Sequence, residues 1–280
     1  MSKFAYAEFF KDISGSIKNN QKRLSYGVSV TDFNKDGKFD FIVTGFRFPN
    51  LILSYKNGYL ENINTNNLFA DQSRSTIGVA ACDIDNDGFE ELYFLNTDTY
   101  SGQKQFSDRL LDNDKNIIDL FQLDKNLKSL NLTAGRSVVC VDRNGDGKYS
   151  IYVANYGGPT RFYEMKKGSI VDQAPLLNIN RITGGRAVVS GHILSNFMDI
   201  FAANERGPNF LYINQNGKFK DFAEKFGVED TFENGRGTTL TDILYRGKLD
   251  IVSGNWNGEH RIFLNNKKKF QDIANSEFKV

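Results

Sequence analysis

Five times along the chain the same succession of apolar and polar positions returns. A short alternating run (GVSVTD, GVAACD, SVVCVD, AVVSGH, GTTLTD) leads into a polar loop, and a second run leaves it (FDFIVTG, EELYFLN, YSIYVAN, MDIFAAN, LDIVSGN). A third run follows as LILSYKNG, RLLDNDKN, RFYEMKKG, NFLYINQNG and RIFLNNKK, and a fourth ends in an aspartate, at Ile118-Asp119, Val171-Asp172, Lys220-Asp221 and Gln271-Asp272. Period-two alternation, β-branched and aromatic enrichment and Asn/Gly punctuation predict strands throughout. Four short strands per unit, repeated every 49–59 residues, predict an all-β fold: a β-propeller of four-stranded antiparallel blades in a single domain over 1–280. The units lie at about 24–64, 75–122, 135–176, 185–228 and 235–276. Five blades fit this count, with six or seven as the alternatives. FFKDIS at 9–14 copies the fourth-strand motif of FKDFA (219–223) and FQDIA (270–274), so an N-terminal strand over 8–14 is expected to help close the ring. The fifth unit carries a fourth strand of its own, which leaves open which copy closes it. The second unit is 9 residues longer than its neighbours, 59 against 50, and the excess is placed in a loop within 98–134.

The polar loops carry the candidate chemistry. DFNKDGKFD (32–40), DIDNDGFEE (83–91) and DRNGDGKYS (142–150) place an acid or amide at every second position around a glycine. Their twelfth positions are Val43, Phe94 and Val153, not the bidentate Glu of an EF-hand, and their flanks are strands, which excludes that motif. The oxygen-rich spacing still suits a hard cation, and clustered carboxylates repel one another unless a cation sits among them. Calcium is therefore expected on Asp32, Asn34, Asp36 and Asp40 with the Lys38 carbonyl, and on Asp83, Asp85, Asp87 and Glu91 with the Phe89 carbonyl. A weaker third site would use Asp142, Asn144, Asp146 and the Lys148 carbonyl, with Ser150 where a carboxylate belongs. The bland alternative is a set of Asp/Asn/Gly turns without metal. In the fifth loop Leu244 and Arg246 replace ligands, and the guanidinium is expected to stand between Asp242 and Asp250 in the metal's place. The fourth loop begins with His192, is one residue short and is expected to hold no metal. A ring that keeps its shape where the metal is missing makes calcium scaffold, not substrate.

Composition narrows the picture further. A net charge of +1 from 35 basic and 34 acidic side chains gives no reason to expect nucleic acid as a partner. No stretch has the apolar length of a transmembrane span, and the N-terminus MSKFAYAEFFKD lacks the apolar core of a secretory signal. The two cysteines, Cys82 and Cys140, are read as buried free thiols. Asn131-Leu132-Thr133 fits the glycosylation pattern, which is too common to count as evidence.

These features together resemble the FG-GAP (VCBS-type) repeats of integrin-α-like propellers, and within them the cartilage acidic protein family. The likeness is clearest in GRGTTLTDILYRGKLDIVSGNWNGEHRIFLNNKKKFQDIA (235–274) and MDIFAANERGPNFLYINQNGKFKDFAEKFGV (198–228), and it spans about residues 8–276. It implies a calcium-binding propeller used for adhesion or binding, often with more than five blades. Relatives are usually secreted, so an extracellular or periplasmic location is favoured, with a cytoplasmic one left open. A monomer is expected.

If the acidic loops share one face, the turns entering first strands share the other. Gly135-Arg136, Gly185-Arg186 and Gly235-Arg236 recur there, beside NYGGPTR (155–161), NERGPNF (204–210) and NWNGEHR (255–261). Arg136, Arg186, Arg236, Tyr156, Arg206, Trp256 and His260 are thus candidate ligand-binding residues, since guanidinium forks suit planar anions and aromatic faces suit sugars or cations. Alternatively, these arginines tie neighbouring units together. The leading expectation is a calcium-stabilised module that binds a protein or glycan. The alternatives are a polysaccharide lyase or glycosidase with its site at the channel mouth, and a purely structural module.

Overall fold

The computed structural model describes residues 10–279. Its strands form five antiparallel four-stranded units in chain order. The first comprises β1 (Val28–Thr31), β2 (Asp40–Val43), β3 (Leu51–Lys56) and β4 (Tyr59–Asn62). The second comprises β5 (Thr76–Cys82), β6 (Glu91–Asn96), β7 (Arg109–Asp112) and β8 (Ile118–Asp119). The third comprises β9 (Gly135–Val141), β10 (Ser150–Pro159), β11 (Arg161–Lys166) and β12 (Ser169–Asp172). The fourth comprises β13 (Ile182–Gly191), β14 (Asp199–Asn204), β15 (Phe210–Gln215) and β16 (Lys218–Asp221), and the fifth β17 (Gly235–Thr241), β18 (Asp250–Asn255), β19 (Arg261–Asn265) and β20 (Phe270–Asp272). Each strand pairs with the next, and the extended end of β10 also pairs with the start of β13, which fuses units three and four into one curled sheet.

Two side-chain devices maintain the repeat. The asparagine that ends a second strand bridges its turn, from Asn155 Nδ2 to the Pro159 carbonyl at 2.7 Å, from Asn204 to Pro208 at 2.6 Å and from Asn255 to Glu259 at 2.6 Å. The aspartate that ends a fourth strand accepts two backbone N–H groups through Oδ1. Asp221, for example, takes those of Leu211 and Ala223 at 3.1 and 3.0 Å. Such local bonds replace ladder partners at strand ends, where the backbone would otherwise be unpaired.

The units pack face to face, which explains why β6 and β14 are buried along their whole length instead of alternating. One core, around Ile42, Phe69 and Phe94, lies between units one and two, and a second, around Tyr93, Leu95 and Tyr163, between two and three. A third, around Tyr152, Val188 and Tyr212, joins three to four, and a fourth, around Phe201, Leu211 and Phe263, joins four to five. The arrangement is propeller-like. Among the described residues the inner strands pack in the succession β1, β5, β9, β13, β17, with no interface of similar extent between β17 and β1. The flank of unit one exposes Val28, Val30 and Phe41.

Two expectations are corrected. Cys82 and Cys140 form a disulfide, with Cα atoms 5.6 Å apart, and are not free thiols. Two cysteines are too few for a disulfide framework, but one bridge needs only two. Consecutive inner strands β5 and β9 pack together and bring these ends into register. The expected strand over 8–14 is also absent from its described part: residues 10–13 have no regular structure and Phe10 is exposed, while residues 8 and 9 lie outside the described residues. The chain instead makes a parallel bridge from Ile17 to Leu60, on the outer strand of unit one. Because β20 already fills the fourth-strand place of unit five, that place is not available to the N-terminal segment.

Candidate functional site

The first strands carry different chemistry at their two ends. A seven-residue strand such as β9 separates these ends by about 20 Å. At the entry of β5, β9, β13 and β17 the register slips by one residue against the second strand. The residues in these bulges are Ile77, Arg136, Arg186 and Arg236, and a bulge re-aims its extra side chain out of the alternating pattern. The glycine before each arginine is set by close packing: a Cβ on Gly185 would lie 2.7 Å from the Asn155 carbonyl oxygen, and one on Gly135 2.2 Å from Leu95 Cδ1. The Gly-Arg pair is thus one residue for fit and one for presentation.

Two of the three guanidinium groups, those of Arg186 and Arg236, meet on one carboxylate, and Arg136 packs against the same tyrosine rings as Arg186. Glu205, whose side chain is 1% exposed, accepts Arg186 Nε at 2.5 Å and pairs with Arg236 Nη2 at 3.3 Å. The hydroxyls of Tyr100 and Tyr156 each donate to its other oxygen at 3.3 Å. Arg136 donates to the Thr97 hydroxyl at 2.7 Å and to the Tyr100 carbonyl, and lies 5.5 Å from the ring centroids of both Tyr100 and Tyr156. Arg186 stacks over Tyr156 at 4.5 Å and Arg236 over Trp256 at 4.6 Å. Burial opposes ionisation of Glu205, but the Arg186 hydrogen bond and the charges of Arg186 and Arg236 outweigh it and hold the carboxyl below its usual range. Burial and the like charges of Arg186 and Arg236 make the Arg136 guanidinium less basic than usual. One carboxylate serves Arg186 and Arg236 and none lies within 4.0 Å of Arg136 among the described residues, so the cluster keeps excess positive charge, and Tyr100, Trp256 and Arg206 stand exposed around it.

Of the residues expected here, Arg136, Arg186, Arg236, Tyr156 and Trp256 are brought together. Arg206 sits 4.0 Å from Glu205 at the margin, its side chain 78% exposed. His260 plays another part, since its Nδ1 accepts the Asn255 N–H at 3.0 Å, as Asn209 Oδ1 accepts that of Asn204 at 2.9 Å. It shapes a turn. The arginines do bridge units, Arg136 reaching unit two and Arg236 unit four, so the linking role and the outward presentation coexist. Sequence reasoning missed Tyr100 and the role of Glu205. Tyr100 comes from the longer loop of unit two, anchored by the fully buried pair Lys104–Asp108, with Asp108 also accepting the Tyr93 hydroxyl at 2.7 Å. The nine extra residues of that unit were the available signal. A cleft of about 360 Å³ between Arg47, Asp98, Tyr100 and Arg136 opens beside it. Asn131 is fully buried, bonded to Asp108 and Asn155, and is no glycosylation site in the folded chain.

At the other end of the first strands lie the acidic loops. In each, the leading aspartate accepts the N–H of the loop glycine: Asp32 from Gly37 at 2.7 Å, Asp83 from Gly88 and Asp142 from Gly147 at 3.0 Å. The next acids brace the turn, Asn34 accepting from Asp36, Asp36 from Lys38, Asp85 from Asp87, Asp87 from Phe89 and Asp146 from Lys148. In the second loop, ligand oxygens of Asp83, Asp85 and Glu91 lie within 4.8 Å of one another. Glu91 is buried, and its carboxyl is pushed up to about 8 by that burial and by the charges of Asp85, Asp112 and Asp87. A carboxyl so placed is ionised at neutral pH only if a cation joins the cluster, so the donor set fits a hard divalent ion. In the first loop Asp40 is buried, and Asn34 N–H reaches it at 3.4 Å. In the third, Ser150 turns to Glu164, which Arg143 already holds at 2.6 Å, so a protein cation competes with any metal there. In the fifth, Arg246 Nη2 lies 2.8 Å from Asp250 and its backbone N–H 2.8 Å from Asp242 Oδ1. In the fourth, Asp199 accepts Leu194 N–H, Ser195 N–H and the Ser195 hydroxyl at 2.7–2.9 Å.

Comparison with known proteins agrees with this anatomy. Residues 24–94 match the FG-GAP-like repeat model. The chain is 43% identical, over 94% of its length, to cartilage acidic protein 1 of Xenopus tropicalis, and 43% and 41% identical to the proteins of that name from Mus musculus and Homo sapiens. It spans under half of these relatives, 44–45% of their length. The V. cholerae biofilm matrix protein Bap1 shares the fold, with a TM-score of 0.50 at 14% identity over 91% of this chain and 40% of that one. No helix among the described residues is long and apolar enough to cross a membrane. The chain thus carries an FG-GAP-like repeat at residues 24–94 and is similar along most of its length to cartilage acidic protein 1.

Proposed function

We propose that this chain is a calcium-stabilised β-propeller binding module, which recognises a protein or glycan through an anionic or sugar-like group at the arginine–aromatic rim. The observation that carries the reading is the charge imbalance around Glu205: Arg186 and Arg236 share this buried carboxylate, Arg136 packs on the same tyrosine rings without a carboxylate of its own among the described residues, and Trp256 and Tyr100 stay open to solvent. Guanidinium groups already stacked on rings lose little freedom when they meet an anion, which favours binding. Calcium in the first and second loops, and more weakly in the third, would act at the opposite strand ends as a staple. Asp83, Asp85, Asp87 and Glu91 would hold it, and the ion would neutralise carboxylates that otherwise repel. The Cys82–Cys140 bridge suits an oxidising compartment, in keeping with an extracellular or periplasmic location. Ring closure with five or more blades belongs to the same reading.

Glycan-array and protein-array binding by the whole chain, repeated with Arg236→Ala and Trp256→Ala, tests it. Binding to acidic glycans or acidic protein segments that both variants reduce is the expected result. Binding that neither variant changes would refute the rim as the site.

A further inference from the structure

On the acidic-loop side, units four and five gather lysines around a cleft. A cleft of about 490 Å³ lies between the fourth loop and the β19–β20 hairpin, within the roughly 300–1,000 Å³ typical of ligand pockets. Lys225, Lys248, Lys267 and His192 line it together with the exposed amides of Asn196 and Gln215. None of these three lysines has a carboxylate within 4.0 Å among the described residues. The neighbouring acids are already engaged: Asp199 by Leu194, Ser195 and Asn214, Asp242 by Arg246 and Gly247, and Asp250 by Arg246 and Asn265. Glu224, next to Lys225 in sequence, lines the adjoining cleft with Glu229 instead.

Lys225 is also held in place. It lies in the short helix Ala223–Phe226, and its ammonium is 5.3 Å from the ring centroid of Phe222 and 5.7 Å from that of Phe226. The aromatic faces steady a cation with no anionic partner. On the facing hairpin Lys267, Lys268 and Lys269 stand in a row, whereas the hairpins of units one, three and four end in Gly58, Gly168 and Gly217.

We infer that this cleft is a second binding site, for sulfate or phosphate esters carried on a hydroxylated ring, as in a sulfated saccharide. Lysine ammonium groups are compact charges with three rotatable donors, and several of them around one cleft can share the oxygens of a multiply charged sulfate or phosphate ester. Arg246, beside the cleft-lining Gly247, has its guanidinium occupied by Asp250 and the Asn265 carbonyl. The free amides match ring hydroxyls.

The test is calorimetric titration of the whole chain with sucrose octasulfate, inositol hexakisphosphate, uncharged sucrose and poly-glutamate. The expected result is binding of one or both oxyanion esters, none of sucrose, and a loss of about tenfold or more in Lys225→Glu/Lys267→Glu with the melting temperature retained. Lys128→Gln, at an exposed lysine between units two and three and outside both sites, serves as the control and leaves this binding unchanged. If the double variant unfolds, Lys225→Gln and Lys267→Gln singly are expected to give smaller losses in the same direction. Binding unaffected by any of these variants, failure of both esters to bind, or tighter binding of poly-glutamate would overturn the proposal. Ester binding that is lost in Arg236→Ala and kept in the lysine variants would belong to the arginine rim and overturn the cleft, so the two readings fail separately.

Discussion

Glu205→Gln sets fold stability and ligand affinity against each other. The carboxylate is buried and holds Arg186, whose side chain is only 8% exposed, with Arg236, Tyr100 and Tyr156 around it. Removing the charge leaves a nearly buried guanidinium uncompensated. Breaking one partner of a buried pair costs roughly 3–5 kcal/mol, and the retained amide hydrogen bonds reduce this to about 3 kcal/mol here. For a chain of this size the melting temperature should fall by roughly 5–10 °C at pH 7. The same change removes the negative charge at the centre of the cluster. At about 6 Å in a largely aqueous setting an anionic ligand should then bind about fivefold tighter. The pH dependence is fixed by the direction of the shift. Glu205 has a depressed carboxyl, so its contribution is present above the ordinary value of 4.5 and disappears as pH falls through the lower folded value. Thermal denaturation of wild type and variant from pH 7 into the acid range should show a gap that is constant above pH 4.5 and narrows only below it. An unchanged melting temperature at pH 7, or a gap that does not narrow on acidification below pH 4.5, would refute the ion-pair reasoning.

Three further outcomes follow from the same structure. Chelation with EGTA should lower the melting temperature, and Asp85→Asn should remove the second loop's share of that sensitivity; a scan indifferent to chelator would sink the calcium assignment. Reducing the Cys82–Cys140 bridge, which spans 58 residues, should cost about 4 kcal/mol by loop-closure entropy in denaturant titration, and equal midpoints with and without reductant would contradict a formed bridge. Arg246→Met should destabilise by about 3 kcal/mol because Asp250 is fully buried and loses its cation; a stability within about 0.5 kcal/mol of wild type would show that the guanidinium does not replace a metal.

How much of this was readable beforehand depended on the range of the interaction. Strands, units and loops come from local rules that each repeat states again, so five copies corrected one another. In the fifth loop the pairing of Arg246 with Asp250 was legible, four positions apart, but not that Asp242 is held by the Arg246 and Gly247 backbone N–H groups instead of the guanidinium. The recurring arginines could be named from their period of 50, but not the counter-ion that Arg186 and Arg236 share. Glu205 occupies the position that Tyr156 and Trp256 hold in adjacent units, and its role exists only because inner strands of three units meet. Tyr100 reaches the cluster from a loop that has no counterpart in the other repeats.

The sequence by itself determined the secondary structure, the order of the units and the form of the acidic turns, since these rest on alternation, turn residues and contacts a few positions apart. Only the tertiary structure decided that Cys82 meets Cys140, that Ile17 bridges to unit one, and that one carboxylate serves both Arg186 and Arg236. Those depend on how neighbouring sheets pack and twist, and a repeat pattern that is the same in every unit contains no information about which residues face each other across the gap.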